Sequence, residues 1–96
     1  MSVDYIARVI EGIEITEKEY DEIEESGVNC TPFNIYSTEY GYYFGHYINR
    51  INLNYQPDQI IRTKGYTWND IWAVAEPLGI EDRGQRVELY LLNETG

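Results

Sequence analysis

Two capping-box sequences, each preceded by a strand-like stretch, constrain the fold of this chain more than any other feature. In the first, Thr16 is followed three residues later by Glu19, and in the second Thr67 is followed by Asp70. A threonine hydroxyl in this setting accepts a hydrogen bond from a first-turn N–H group, and the acid accepts one from the threonine N–H. We therefore predict one helix over residues 17–26 and a second from residue 68 to about residue 78.

Four stretches around these helices have strand-like patterns. In residues 5–15 the odd positions are largely apolar and several even positions are charged, which is the alternation of a half-buried strand. Further strands are predicted over residues 33–38, 42–53 and 86–92, and residues 54–66 are predicted to form a loop. The order β-α-β-β-α-β predicts an α+β fold, a split-βαβ (ferredoxin-like) two-layer sandwich with an antiparallel sheet. The alternative is an antiparallel meander with two helices at one end.

The length of 96 residues supports one domain, 1–96. If odd-numbered side chains of the first and third strands face the helices, the opposite sheet face carries apolar side chains, with Arg8, Tyr36 and Tyr90 beside them. An exposed apolar patch of this kind typically marks an interaction site. We therefore predict either a homodimer interface or a small-ligand site on that face, at Ile6, Ile10, Phe44, His46 and Ile48.

Negative charge is the second strong feature. The chain has 17 Asp and Glu against 7 Lys and Arg, for a formal net charge of −10. This balance argues against direct nucleic-acid binding, which depends on Lys and Arg neutralising phosphates, and against an anionic membrane surface. Eight of the 15 residues from 11 to 25 are acidic.

Two pairs in this run, Glu17 with Asp21 and Asp21 with Glu25, are like charges four residues apart. Each such pair costs a helix roughly 0.2–0.5 kcal/mol. The charge is thus concentrated where it does not help folding, and we predict a surface that attracts a basic protein partner. A plain solvated surface helix is the alternative. The predicted partner-binding residues are Glu14, Glu17, Asp21, Glu22, Glu24, Glu25, Tyr40 and Tyr42, the tyrosines serving as exposed aromatic anchors.

In its short length, strong negative charge and exposed aromatics, the chain resembles the phage-encoded DNA-mimic proteins, including anti-restriction and anti-CRISPR inhibitors. This resemblance is one of composition and is carried by no motif. It implies a small inhibitor that occupies the basic, nucleic-acid-binding surface of a partner protein. Carboxylates of the first helix would then stand in for phosphates.

Catalytic and metal-binding patterns are missing from the sequence. His46 and Cys30 are the single histidine and cysteine, and no phosphate loop, zinc-protease motif or calcium loop occurs. We therefore expect no enzyme activity, no cofactor, no metal site and no intrachain disulfide. The N-terminus lacks the pattern of a signal peptide, and no apolar run reaches the ~20 residues of a membrane helix. We expect a cytoplasmic protein, in the host cell if it is phage-encoded.

Overall fold

The computed structural model describes residues 5–52 and 63–95. Its elements follow the predicted order: strand β1 (Tyr5–Ile15), helix α1 (Glu17–Ser26), strands β2 (Asn34–Ser37) and β3 (Tyr42–Asn52), helix α2 (Trp68–Ala75) and strand β4 (Glu88–Thr95). The last strand begins and ends later than predicted. Most of the predicted 54–66 loop and the predicted end of β3 at residue 53 lie outside the described residues.

The four strands form one antiparallel sheet in the order β2-β3-β1-β4. Strand β1 is central and pairs with β3 on one side and β4 on the other, so the two 11-residue strands lie side by side. The predicted α+β fold with an antiparallel sheet and two helices is therefore confirmed.

Both predicted capping boxes are formed. At the start of α1, Thr16 Oγ1 accepts the Glu19 N–H at 3.1 Å, and Glu19 Oε1 accepts the Thr16 N–H at 2.8 Å. Thr67 and Asp70 make the same two bonds at the start of α2. Helix α2 ends at Ala75, earlier than predicted, because a short 3₁₀ turn (Glu76–Leu78) follows it. Pro77 lies in this turn and has no N–H group to continue an α-helix.

The main core lies between the sheet and the two helices. Ile23 of α1 and Ile71 of α2 are buried against Ile13 of β1 and Phe44 of β3. The rings of Phe33 and Phe44 are 5.5 Å apart. A large apolar cluster on this face holds both helices against the sheet.

A β-bulge in β3 changes which of its residues face the helices. Val9 pairs with Asn49 but Ile10 pairs with Tyr47, which leaves Ile48 as an extra residue on β3. Because side chains alternate along a strand, the extra residue reverses the pattern of the first half of β3. Phe44 therefore faces the helices and Tyr43 faces away, so the prediction that odd residues of this strand face the helices is wrong for that half.

Two glycines allow β1 and β3 to approach closely. Gly12 and Gly45 are direct partners in the register. A Cβ built on Gly12 would lie 2.2 Å from the backbone oxygen of Phe44, and one on Gly45 would lie 2.5 Å from that of Glu11. Neither position has space for a side chain, so both glycines are required by the strand pairing.

Candidate partner-binding surface

Helix α1 uses few of its residues for packing. Ile23 is buried and Tyr20 is half-buried against the same core cluster. The predicted acids of the helix are all exposed, as is Glu14 near the end of β1; these residues are Glu14, Glu17, Asp21, Glu22, Glu24 and Glu25. The structure therefore places every predicted acidic site residue at the surface.

Glu19 is an acid of the same helix with a different role. It is only 6% exposed and receives a bidentate contact from Arg83, at 3.0 and 2.7 Å. It also accepts the N–H of Glu81 at 2.7 Å. Burial by itself raises the pKa of Glu19, but the hydrogen bonds from Arg83, Thr16 and Glu81 outweigh it and lower the pKa to about 2. Glu19 thus connects the start of α1 to the segment before β4.

Glu11 of β1 is the other buried acid of the run from residue 11 to residue 25. Its carboxylate accepts the N–H of Tyr66 at 3.3 Å, which connects β1 to the segment before α2. The predicted partner-binding residues include neither Glu11 nor Glu19, but the sequence did not predict that both would be buried. For Glu19 a signal was present, because the third residue of a capping box has its carboxylate directed back at the helix start.

The exposed acids of α1 differ from Glu19 in their ion pairing. Within residues 5–52 and 63–95, no ion pair joins them to a lysine or arginine, whereas Glu19 has Arg83. Glu17, Asp21 and Glu24 follow one another at four and three residues, so they lie on one side of the helix. At 1.5 Å per residue, their steps along the axis are about 6 and 4.5 Å. The result is a row of negative charge that forms no ion pair with the described lysines and arginines.

Tyr42 lies beside this row. Its ring is 5.1 Å from that of Tyr20 on α1. Desolvation raises the pKa of the Tyr42 phenol, and the neighbouring carboxylates of Glu17 and Asp21 raise it further. The structure therefore places Tyr42 beside the acidic row. This part of the surface carries both an aromatic ring and carboxylates.

Tyr40 belongs to a different part of the surface. It is 87% exposed at the tip of the β2–β3 hairpin. The tip is held by Thr38, whose Oγ1 accepts the N–H groups of Tyr40 and Gly41, each at 3.1 Å. Tyr40 lines a pocket together with Arg8 and Tyr43 rather than contacting α1.

The residues of the predicted apolar patch do not all lie on one face of the sheet. Phe44 is fully buried under the helices, and His46 also lies on the helix side, where its Nδ1 is 3.2 Å from the Pro32 oxygen and its ring contacts Tyr66. Ile48 is the bulge residue. Placing Phe44 and His46 on the opposite face is therefore wrong, and the cause is the register shift in β3.

The face opposite the helices carries a second, smaller cluster. Ile10 is fully buried there by tyrosine rings and Leu92, and the rings of Tyr43 and Tyr90 are 4.6 Å apart. The Arg8 guanidinium lies 5.5 Å from the centre of the Tyr36 ring. A pocket of about 440 Å³ lies beside this cluster. Arg8, Ile10, Tyr36 and Tyr90 share this face, which is where the alternation of β1 predicted Arg8 and Ile10.

The single cysteine of the chain lies inside the protein. Cys30 is buried in the main core, and burial raises the pKa of its thiol. Among the described residues, no group of three or more His, Cys, Asp or Glu side chains is arranged to hold a metal ion. No helix in this part of the chain is long and apolar enough to cross a membrane.

Comparison with protein-family models finds no match for the chain. Comparisons with curated proteins and with solved structures likewise find no similar protein.

Proposed function

We propose that this chain is a small acidic inhibitor that binds the basic, nucleic-acid-binding surface of a partner protein, as DNA mimics of the phage anti-restriction and anti-CRISPR type do. One observation carries the proposal. Among the described residues, the five exposed carboxylates of α1 form no ion pair with a lysine or arginine, whereas Glu19, the acid that the fold uses, has Arg83.

The charge of Glu19 stabilises the fold, whereas the charges of the five exposed acids of α1 are available to a partner. Like charges four residues apart, such as Glu17 and Asp21, cost the helix a few tenths of a kcal/mol per pair, roughly. Lys and Arg side chains that contact phosphates also bond carboxylates, in bidentate geometry in the case of Arg. The row on α1 therefore offers such a partner a substitute for a phosphate backbone.

Tyr42 adds an aromatic contact next to the charges. Buried aromatic residues contribute strongly at protein interfaces, while charge mainly accelerates encounter. We expect the acidic row to set the association rate and its salt dependence. Tyr42 would slow dissociation, since most affinity differences among related complexes arise there.

The test is a comparison of two charge-reversed variants that carry equal net charge. Asp21→Lys with Glu24→Lys reverses two of the three acids of the row, and Glu76→Lys with Glu88→Lys reverses two exposed acids elsewhere. Both change the net charge from −10 to −6. Each tagged protein is used to capture partners from a cell extract. A captured protein is then purified and its binding to labelled DNA or RNA is measured with and without this chain.

We expect the wild type and the Glu76/Glu88 variant to capture a nucleic-acid-binding protein and to displace its nucleic acid. The Asp21/Glu24 variant should lose both effects while its circular dichroism spectrum stays unchanged. Equal capture and displacement by the two variants would contradict the proposal, because position on α1 would then make no difference.

For the architecture we propose the split-βαβ, ferredoxin-like topology. Its support is that β3 lies between β1 and β2, and β1 between β3 and β4, with one helix after β1 and one after β3. An experimental structure with right-handed connections and both helices on one face would agree, and a left-handed connection would contradict it. We also propose a cytoplasmic location, supported by the free thiol of Cys30 and tested by cell fractionation.

A second candidate function is ligand binding at the sheet face opposite the helices, which the pocket beside Arg8 favours. The alternative on this face, a homodimer interface, has less support. Ile10 and Phe44, which were expected to form the interface, are both fully buried within one copy of the chain.

A further inference from the structure

Strand β4 forms one edge of the sheet. Among the described strands it pairs with β1 alone, and the register of this pairing runs from Glu88 to Thr95. The other edge strand, β2, has only four residues, whereas β4 has eight. The outer side of an edge strand carries N–H and C=O groups that can pair with a further strand. Strand β4 is therefore the longer of the two edges at which the sheet can be extended.

The features that usually prevent an edge strand from pairing are missing from β4. Such features are a short strand, a proline, a lysine or a β-bulge. The sequence of β4 is ELYLLNET, which contains neither proline nor lysine, and its pairing with β1 has no register shift. The backbone of β4 is thus regular enough to accept an additional strand, as sheets do in β-augmentation.

Two leucines make this edge apolar. Leu89 is 48% exposed and Leu91 is 55% exposed. In the register they pair with Glu11 and Val9, so both leucines lie on the helix side of the sheet. Helix α1 packs against β2 and β3 rather than over this edge. A strand added beside β4 would cover both leucines with its own side chains.

The sequence of β4 is self-complementary about Tyr90. In an antiparallel pairing with a second copy, a two-fold axis beside Tyr90 sets Leu89 opposite Leu91 of the second copy, and Leu91 opposite its Leu89. The two Tyr90 residues then lie opposite each other. Apolar and aromatic cross-strand pairs stabilise a sheet, and a two-fold axis closes the assembly at two copies.

The order of charges along the sequence favours the same register. Position 86 is an arginine and position 94 is a glutamate, and the axis beside Tyr90 sets each opposite the other in the second copy. An axis beside Leu91 would instead set position 88, a glutamate, opposite position 94. Opposite charges across two strands are favourable and like charges are not. A second copy of the chain therefore matches this edge in charge as well as in apolar side chains.

We propose that two copies of this chain associate through β4, antiparallel and in register about Tyr90, to form one continuous sheet with four strands from each copy. One strand pair is a small interface compared with the ~1,200–2,000 Å² of stable complexes, so the dimer is weak, with a dissociation constant on the order of 0.1 mM. This association goes beyond inhibition of a partner protein and does not depend on it.

The test is sedimentation equilibrium of the full chain between ~10 µM and ~1 mM, because the population of a dimer depends on concentration. A salt concentration of about 0.15 M screens the long-range repulsion between two acidic copies. We expect the average mass to rise with concentration from 11.3 kDa towards twice that value.

A pair of matched variants tests the edge. Leu91→Lys places a charge on β4, and its control is Val28→Lys, which changes an apolar side chain of similar exposure, 50%, outside the sheet. Both variants change the net charge by the same amount. We expect Leu91→Lys to weaken association by at least about tenfold, since each substitution acts twice in a two-fold dimer. Val28→Lys should associate as the wild type does.

The register is tested by NMR on a mixture of ¹³C-labelled and unlabelled copies at ~1 mM, a concentration at which a dimer of this affinity is well populated. Nuclear Overhauser effects between the two kinds of copy should join Leu89 to Leu91 and Tyr90 to Tyr90. The Asp21/Glu24 reversal should leave these contacts intact, which separates the dimer from the proposed inhibitor function.

The proposal is overturned if the wild type stays monomeric at ~1 mM, which would leave β4 as an edge for a strand of another protein. It is also overturned if the two lysine variants lose association equally, or if the contacts between copies fall outside β4 or in another register. If circular dichroism shows that Leu91→Lys does not fold, Leu89→Lys replaces it in the same comparison, because Leu89 is also about half exposed.

Discussion

Replacing Glu19 with glutamine measures how much one acid of α1 contributes to folding. The carboxylate accepts two bonds from Arg83 and one each from the N–H groups of Thr16 and Glu81. Glutamine keeps the shape, but it loses the charge and one of the two acceptor oxygens. Arg83 and the Glu81 N–H would then have no equivalent acceptor, and unmade bonds of this kind are costly when the groups are partly buried.

The size of the effect follows from the pKa of Glu19. At ~1.4 kcal/mol per pH unit, the difference between the ordinary value of 4.5 and about 2 corresponds to ~3 kcal/mol. Because the Arg83 side chain is 35% exposed, solvent screening reduces this, and we expect about 2 kcal/mol at pH 7. For a domain of this size the loss lowers the melting temperature by roughly 10 °C.

The pH dependence has a definite sign. Because folding lowers the pKa of Glu19, its contribution is complete above pH 4.5 and is lost as the pH falls from there towards 2. Thermal and urea unfolding, followed by circular dichroism at pH 7 and pH 2.5, should therefore show a difference between wild type and Glu19→Gln that shrinks by more than half at the lower pH.

The matched control is Glu17→Gln, an exposed acid of the same turn, which should change stability by less than ~0.5 kcal/mol. Two results would refute the reasoning. One is a melting temperature for Glu19→Gln within 2 °C of the wild type, a shift that corresponds to at most about 0.5 kcal/mol. The other is an equal destabilisation at pH 7 and pH 2.5, which would mean that the charge of Glu19 has no part in it.

Three further predictions concern strand pairing, a tyrosine and the proposed complex. Gly12→Ala should destabilise the fold by about 3 kcal/mol in urea unfolding, because the added Cβ meets the Phe44 oxygen, whereas Gly41→Ala should be nearly neutral; equal effects would contradict the close approach of β1 and β3. Burial and then the charge of Glu88 raise the pKa of Tyr90 to about 12, so Glu88→Gln should lower the pKa seen by NMR titration, and an unchanged value would exclude that charge as a cause. Binding of a captured partner, measured by calorimetry, should weaken steeply between 50 and 500 mM salt, because the Debye length falls from about 14 Å to about 4 Å over that range, and salt-independent affinity would argue against the acidic row.

Local patterns in the sequence predicted the elements and their order. The capping boxes at Thr16 and Thr67 depend on residues three apart, so they could be recognised without any knowledge of the fold. The exposed acids of α1 were also predictable, because only Tyr20 and Ile23 give that helix an apolar side. What the pattern could not show was that Glu19 has a partner 64 residues away, in Arg83.

The sequence by itself determined the α+β class, the two helix starts, the alternation of β1 and the concentration of negative charge at residues 11–25. Each of these depends on residues close together in the chain. The tertiary structure decided which side chains of β3 face the helices. The reason is that the bulge at Ile48 arises only when β3 pairs with β1 and one extra residue has to be accommodated. Because of this extra residue, Phe44 is buried beneath the helices and Tyr43 lies on the opposite face, where Tyr43 lines the pocket beside Arg8.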